Sequence, residues 1–468
     1  MNKYSFKIYN FINKINKKLK FDFSGLINTS DSFILIIQDI IQDVIHEILN
    51  QKINYDITQK KLLKCLSPNS KYPLIYLFLK KYIQKRLGQQ KEIILPKSDY
   101  FKKNNLDFSS FLKFYFDNSR DISYEQIEND IKTEPELIEM YKQIFEQNDS
   151  RKILHDMLYL NPFVSLDITH YVEITELLHI KFNSDFFDVD LYVDLTLIKT
   201  IDIYITKIVT ILTLMKKIAD KFNLPYKNNL VKIRIILSKQ KKSLYSNYNI
   251  LSPININSGS TLPGEYVNIW RFEEFEKVMI HEIQHFYGCD FHSSNSNYYL
   301  VENVIKKCFD IKGDDKVNES YNEVMAHIIS MIYFSKIYKL KLKDVFNFEL
   351  YFLLFQTAKI IDFFGGNNYD SIFIKTPNHI HFNQRTSVLS YYVIKTLFMF
   401  NISYTIKFIE KIKMKCNDKE SMKLLGRFLR MIIKDMQIKL YIDPLIKMIK
   451  KNKSDKFIYK TMRMTGIE

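Results

Sequence analysis

Residues 278–288 read VMIHEIQHFYG and contain the pattern His-Glu-x-x-His at His281, Glu282 and His285. Apolar residues recur around it at helical spacing, so the segment is predicted to be a helix. Because residues i and i+4 lie on one face of a helix, the two imidazoles can bind one metal ion. Glu282 can then act as a general base toward a water molecule. The segment predicts a Zn²⁺ site of the hydrolytic type.

A hydrolytic zinc site needs a third protein ligand and leaves the fourth position to water. A glutamate from a later helix would complete a His₂Glu set. Residues 318–328, NESYNEVMAHI, offer two such carboxylates, Glu319 and Glu323. They are four residues apart, so they share one face of the predicted helix.

The HExxH pattern with a later glutamate helix resembles the zincin metallopeptidases, and within them the gluzincins, whose third ligand is the glutamate of an NExxA or ExxxD helix. Residues 322–326, NEVMA, match the first pattern and make Glu323 the ligand. Glu319 followed four residues later by Glu323 resembles the second pattern, ExxxD. In that alignment Glu319 is the ligand, and Glu323 contacts it without binding the metal. We favour Glu323, because the small Ala326 would allow close packing against the HExxH helix. The other glutamate would then orient a ligand histidine.

The stretch 255–327 also resembles uncharacterised zincin-like proteins of giant DNA viruses. The Lys-, Asn- and Ile-rich composition agrees with that resemblance. The resemblance says nothing about the chain before Val189, and it implies no substrate.

A second zincin subtype, the metzincins, reads HExxHxxGxxH. Gly288 occupies the glycine position of this pattern, but Phe291 stands where the third histidine is required. His292 comes one residue late, so its imidazole is expected to point elsewhere.

Zincins also place an oxyanion donor, usually a Tyr or a His, in the C-terminal part of the domain. The resemblance makes Tyr391 and Tyr392 the favoured candidates, taken as a set. His379 and His381 are further candidates, although they can equally be a pair of loop histidines.

Periodicity and composition predict an α+β protein that is predominantly α-helical. The chain has 468 residues, 46% of them apolar, and only ten Gly and ten Pro, which excludes disorder and collagen-like structure. Strands are predicted at residues 230–238 and 265–270, with a loop at 251–264 between them. The helical patterns, with Pro444 as one of the breakers, cover residues 31–52, 70–87, 134–146, 191–221, a segment starting near Phe272, 299–309, 316–338, 344–364, 387–399 and 422–442.

Three regions are predicted: an α-helical N-terminal region at 1–188, a zincin-like catalytic domain at 189–401 and a C-terminal helical extension at 402–468. The catalytic domain would contain a long backing helix, a small sheet, the HExxH helix and a C-terminal helical lobe. In zincins the strand that pairs with the substrate precedes the active helix, so the resemblance makes residues 265–270 the candidate edge strand, to which a substrate peptide would add by strand pairing.

The net charge of +16 comes from 68 Lys+Arg against 52 Asp+Glu, and few of the cations are Arg. Because Arg is the preferred reader of phosphates and bases, we expect no specific nucleic-acid partner. The four Cys form no CxxC pair, which favours reduced thiols. Without an apolar signal segment or a clean membrane span, we expect a cytoplasmic protein, not secreted and not in a membrane, in the host cytoplasm or the virion if it is viral.

The predicted function is zinc-dependent hydrolysis of a peptide or protein substrate. Two alternatives stay open. One is a virion-structural or host-interaction protein that keeps a zincin core for packing, and the other is a zinc hydrolase of non-peptide amides. The sequence does not indicate an oligomeric state.

Overall fold

The computed structural model describes residues 3–50, 55–63, 163–244 and 250–467, except 293, 314, 315, 417 and 452–455, and also residues 135, 154, 158 and 161. The helix predicted at 70–87, and all but residue 135 of the helix predicted at 134–146, lie outside the described residues.

Helices make up most of the described chain, in agreement with the predicted α+β class. A π-helix at Leu389–Ile394 precedes the tenth α-helix. The α-helices are α1 Lys3–Leu19, α2 Ser32–Asn50, α3 Leu166–Ile174, α4 Ile201–Lys221, α5 Pro253–Ile256, α6 Phe275–Phe286, α7 Tyr299–Lys306, α8 Asn318–Ile337, α9 Leu342–Phe363, α10 Lys395–Phe400, α11 Ile402–Ile412, α12 Lys419–Ile433, α13 Lys439–Lys451 and α14 Lys456–Lys460.

The strands of the described residues form one six-stranded sheet, in the order β1-β2-β3-β4-β6-β5, and a two-stranded parallel sheet of β7 and β8. In the large sheet β3, β4 and β6 are parallel, and the other pairs are antiparallel. The strands are β1 Asp56–Leu63, β2 Leu177–Asn183, β3 Phe187–Asp194, β4 Val231–Ile236, β5 Gly259–Leu262, β6 Tyr266–Ile269, β7 Asp310–Gly313 and β8 His381–Gln384.

Three local predictions were wrong. Residues 191–194 belong to β3 and not to a helix, because alternate residues of that strand are buried in the sheet. Residues 251–264 were predicted to be loop but contain α5 and β5. Pro444 does not end a helix, since it lies inside α13, which packs against α9.

The edge of the large sheet is also not where we predicted it. Strand β6, at the predicted edge position, is covered on both sides by β4 and β5. The edge strand on this side of the sheet is β5, which pairs only with β6 among the described strands, and β1 forms the opposite edge. It lies against α6, so the sheet edge runs beside the HExxH helix.

Strand pairing and a common apolar cluster link described residues on the two sides of the predicted domain boundaries. The boundary at 188/189 falls inside β3, and β1 and β2 make the N-terminal region partly strand. One apolar cluster includes side chains from α1, the sheet, α6 and the C-terminal segment 461–467. None of the described helices is long and apolar enough to cross a bilayer.

Candidate metal centre

Helix α6 carries the HExxH pattern and is held between α4, α8 and the β5–β6 edge of the sheet. Before it, the backbone of Glu274 adopts a left-handed φ of 62°. Such a conformation in a non-glycine residue is held only where the surroundings fix it. Here the buried Glu274 carboxylate accepts hydrogen bonds from Lys242 Nζ at 2.8 Å and from the backbone N–H groups of Met464 and Thr465 at 2.7 and 2.6 Å. The start of α6 is therefore anchored to the buried C-terminal segment.

Three side-chain atoms converge between α6 and α8. His281 Nε2 and His285 Nε2 are 3.2 Å apart, and Glu319 Oε2 lies 3.5 Å from the first and 3.4 Å from the second. Ligand atoms held at 2.0–2.1 Å around a tetrahedral Zn²⁺ lie roughly 3.3 Å from one another. The three separations fit one face of such a coordination shell.

The other ring nitrogen of each histidine faces a carboxylate. His281 Nδ1 lies 3.2 Å from Glu323 Oε1, and His285 Nδ1 lies 2.8 Å from Asp290 Oδ2. A carboxylate at this position favours the proton on Nδ1 and leaves the Nε2 lone pair free. Two lone pairs and a carboxylate oxygen then face one another, and this arrangement requires a cation or a proton between them.

The pKa shifts of the cluster reflect the same demand for positive charge. Burial lowers the pKa of His285, but the carboxylates of Glu319 and Asp290 outweigh it and raise that pKa well above its usual range. Burial raises the pKa of Glu319, but His285 and His281 reverse the effect and bring it far below its usual range. Both shifts favour a positively charged His285 beside an ionised Glu319.

Glu323 does not join the three converging atoms, so the preference for it as third ligand does not fit the structure. Its Oε2 accepts hydrogen bonds from the ammonium groups of Lys277 and Lys395, the second at 3.2 Å. Burial raises the pKa of Glu323, but the two lysines dominate and hold it well below its usual range. Glu319, one turn earlier on α8, faces the Nε2 atoms instead. This is the register in which Glu323 orients a ligand ring.

Glu282 extends from α6 toward the edge strand β5. Its Oε2 accepts a hydrogen bond from Thr261 Oγ1 at 2.7 Å. A Cβ atom at Gly259 would lie only 2.5 Å from Glu282 Oε1, so the strand needs glycine there. Burial raises the pKa of Glu282, while His281, His285 and the Thr261 hydrogen bond offset part of that rise. A raised pKa suits a group that must take up a proton.

The two candidate tyrosines have different surroundings. The Tyr391 hydroxyl, on the π-helix, lies 3.5 Å from Glu319 Oε2 and so faces the cluster. The Tyr392 hydroxyl is buried and donates a hydrogen bond to the Met462 carbonyl at 2.6 Å. Consecutive helical residues point in different directions, so only one of the two can face the site. Of the predicted pair, Tyr391 is the one whose hydroxyl faces the cluster.

The remaining candidate histidines lie outside the cluster. His292 faces Asp290 Oδ1 at 3.3 Å and is partly exposed, so it is not placed as a metzincin ligand. His379 and His381 contact Asp310 instead of the converging atoms. His327, on α8, lies 3.2 Å from Glu349.

Several residues of the site were not identified from the sequence. Asp290 and Lys277 flank the HExxH segment, but nothing in a helical pattern shows that they reach a ligand ring or Glu323. Lys395 did carry a signal, because it interrupts the apolar stretch 387–404. A buried lysine requires a partner, and that partner is Glu323. The amide nitrogen of Asn322 lies 2.9 Å from His285 Nδ1.

Neither a protein-family model, nor a curated protein, nor a solved structure matches the chain. The function therefore has to be inferred from the geometry and chemistry of the site.

Proposed function

We propose that the chain is a zinc-dependent metallopeptidase of the gluzincin type. His281, His285 and Glu319 would hold the metal, and Glu282 would be the general base. The observation that carries the proposal is the convergence of three acceptor atoms within 3.2–3.5 Å of one another. A bound Zn²⁺ supplies Lewis-acid polarisation of the substrate carbonyl and lowers the pKa of water to about 7.

The surrounding elements agree with this proposal. A zincin-like domain is expected to have a backing helix, a small sheet, the HExxH helix and a later helix that supplies a glutamate. Here α4 packs behind α6, the β5–β6 edge flanks it, and α8 supplies both glutamates. These elements support the proposal, although the sheet is larger than a zincin-like domain was expected to have and the strand beside α6 at its edge is β5.

Glu282 is placed to accept a proton from an attacking water and to pass it to the leaving amine. Thr261 orients its carboxylate through the 2.7 Å hydrogen bond. The Tyr391 hydroxyl, beside Glu319, can donate to the oxygen that becomes negatively charged in the transition state. Asp290 would orient the ring of His285 through the 2.8 Å hydrogen bond at Nδ1, and Glu323, 3.2 Å from Nδ1 of His281, would act on that ring electrostatically.

Strand β5 supports the choice of a peptide as substrate. It is an edge strand of the described sheet, and an extended peptide can add to such an edge through backbone hydrogen bonds. Because Thr261 of this strand contacts Glu282, a peptide paired with β5 would lie beside the general base.

The test compares wild type with Glu282→Gln, which keeps the size of the side chain and removes the base. We expect the zinc-loaded wild type to cleave members of a broad peptide library, and the variant to lose about 10²–10⁴-fold in kcat while keeping its zinc. The matched control is Glu276→Gln, on the same helix, whose buried carboxylate pairs with Lys207 instead of the site. This control should keep its activity.

Unchanged cleavage by Glu282→Gln would overturn the assigned role of Glu282. A zinc-loaded wild type that cleaves no peptide would overturn the peptidase proposal. Turnover of small acylated amides under the same conditions would then favour a non-peptide amide hydrolase.

A further inference from the structure

A second cluster of metal-binding side chains lies on the small parallel sheet. Asp310 begins β7 and His381 begins β8, and the two residues are direct neighbours in the strand register. His379 lies two residues before His381, and the buried Ile380 between them keeps both histidines on the outer side. Strand pairing therefore brings together residues far apart in the sequence.

The distances within this cluster are those of potential ligands to a single ion. Asp310 Oδ2 lies 2.6 Å from His381 Nδ1 and 3.3 Å from His379 Nε2. One ligand atom from each residue lies within 4.8 Å of the other two. Ligands around Zn²⁺ lie roughly 3.3 Å apart, so the contact to His379 already fits, and the short contact to His381 has to open by less than about 1 Å.

Both ring nitrogens of His379 face acceptor oxygens. Its Nδ1 lies 3.3 Å from the Thr376 carbonyl oxygen, which can only accept a hydrogen bond. Nε2 faces the Asp310 carboxylate, also at 3.3 Å. A neutral imidazole carries one N–H and cannot donate to both acceptors, so one of the two contacts requires a second proton or a cation.

We propose that Asp310, His379 and His381 form a second transition-metal site, separate from the cluster of His281, His285 and Glu319. Two imidazoles and one carboxylate suit Zn²⁺ and similar borderline divalent ions rather than Mg²⁺ or Ca²⁺. The side chains are 28–54% exposed, so water can complete the coordination.

The position of this site in the chain indicates what a bound ion would do. Strand β7 leads into α8, which carries Glu319, and β8 leads into the π-helix, which carries Tyr391. An ion held by Asp310 and His381 would join the first residues of the two strands. The second site is therefore a structural tie for the two elements that face the first site.

Zn²⁺ binding to the metal-depleted full chain tests this proposal. By titration calorimetry and by metal content after dialysis, we expect two equivalents in the wild type. The variants His379→Ala, His381→Ala and Asp310→Asn should each bind one equivalent of Zn²⁺. Adding His285→Ala to any of them should abolish this remaining equivalent. The zinc affinity of the altered site should fall by more than the roughly 10–100-fold that follows loss of a residue that only orients a ligand. These side chains are partly exposed, so the variants should fold.

The matched control is His179→Ala, because His179 also contacts an aspartate, with Nε2 and Asp190 Oδ1 2.8 Å apart, but belongs to no group of three potential ligands among the described residues. This variant should keep both equivalents. The proposal is overturned if stoichiometry is unchanged in His381→Ala, or if His179→Ala lowers it equally, which would indicate adventitious binding. If the wild type binds a single equivalent that is lost in His381→Ala and kept in His285→Ala, the result would support this second site and contradict the proposed catalytic site.

A second readout is the midpoint of thermal unfolding. Added Zn²⁺ should raise the midpoint in His285→Ala, because an ion bound only to the folded state stabilises that state. It should not raise the midpoint in the double variant that also carries His381→Ala. An equal rise in both variants would contradict the second site.

Discussion

Replacing Gly259 by Ala tests the placement of Glu282 without touching any proposed ligand. The added Cβ would lie 2.5 Å from Glu282 Oε1, 2.6 Å from Cγ and 2.7 Å from Cδ. Ordinary contact begins near 3.4 Å, so the carboxylate must move by about 0.7–0.9 Å. That movement would also disturb the 2.7 Å hydrogen bond from Thr261.

We expect Gly259→Ala to lower kcat by about 10²-fold, the effect typical of a misplacement of about 1 Å in a catalytic group. Zinc content should stay at the wild-type level, since the ligands lie on α6 and α8. Overpacking of the strand against the helix should also cost about 1–3 kcal/mol in the free energy of unfolding. Steady-state kinetics on a cleaved peptide, metal analysis and urea unfolding measure the three effects.

The matched control is Gly25→Ala, because an added Cβ at Gly25 meets no atom within 4 Å. It should leave kcat and zinc content unchanged. The reasoning would be refuted if Gly259→Ala folds, binds zinc and cleaves peptide at the wild-type rate. Glu282 would then not depend on its contact with β5.

The remaining predictions concern the two tyrosines and a buried lysine. Tyr391→Phe should lower kcat by about tenfold or more and keep its zinc. Tyr392→Phe should leave kcat unchanged and lose about 1 kcal/mol of stability, because it loses the hydrogen bond to the Met462 carbonyl. Equal effects of the two variants on kcat would contradict this assignment. Burial lowers the pKa of Lys359 from 10.5 to about 7, so above pH 7 the unfolded chain binds more protons than the folded one and stability rises with pH. Urea unfolding of wild type and Lys359→Met measures this effect. The difference between their free energies of unfolding, wild type minus variant, should increase by up to about 1.4 kcal/mol per pH unit between pH 7 and 9. A difference that does not change with pH would refute the lowered pKa of Lys359.

The HExxH helix could be predicted because its signal is local. Both histidines and Glu282 lie within one turn and a half of α6, and their relation follows from helix geometry alone. The choice between Glu319 and Glu323 could not be predicted, since it depends on how α8 crosses α6. Both glutamates lie on the same helix face, and only the packing shows which of them meets the Nε2 atoms.

The sheet was harder to predict than the helices. Strand β5 has four residues and begins with glycine, so its sequence is typical of a loop, and only pairing with β6 makes it a strand. Strand β3 runs directly into the 3₁₀ turn before α4, and the helical pattern hid its alternation. Lys277 and Lys395 come from α6 and α10, and their common partner Glu323 is a property of the tertiary structure.

The zinc content of Glu319→Ala and Glu323→Ala tests the central claim most directly. Both variants are measured in a His381→Ala background, so that only the HExxH site is counted, and circular dichroism checks that they fold. We predict about one tightly bound zinc in the parent, none in Glu319→Ala, and zinc bound about 10–100-fold more weakly in Glu323→Ala, because Glu323 only orients the ring of His281. Zinc bound as tightly by Glu319→Ala as by the parent would contradict the proposed site.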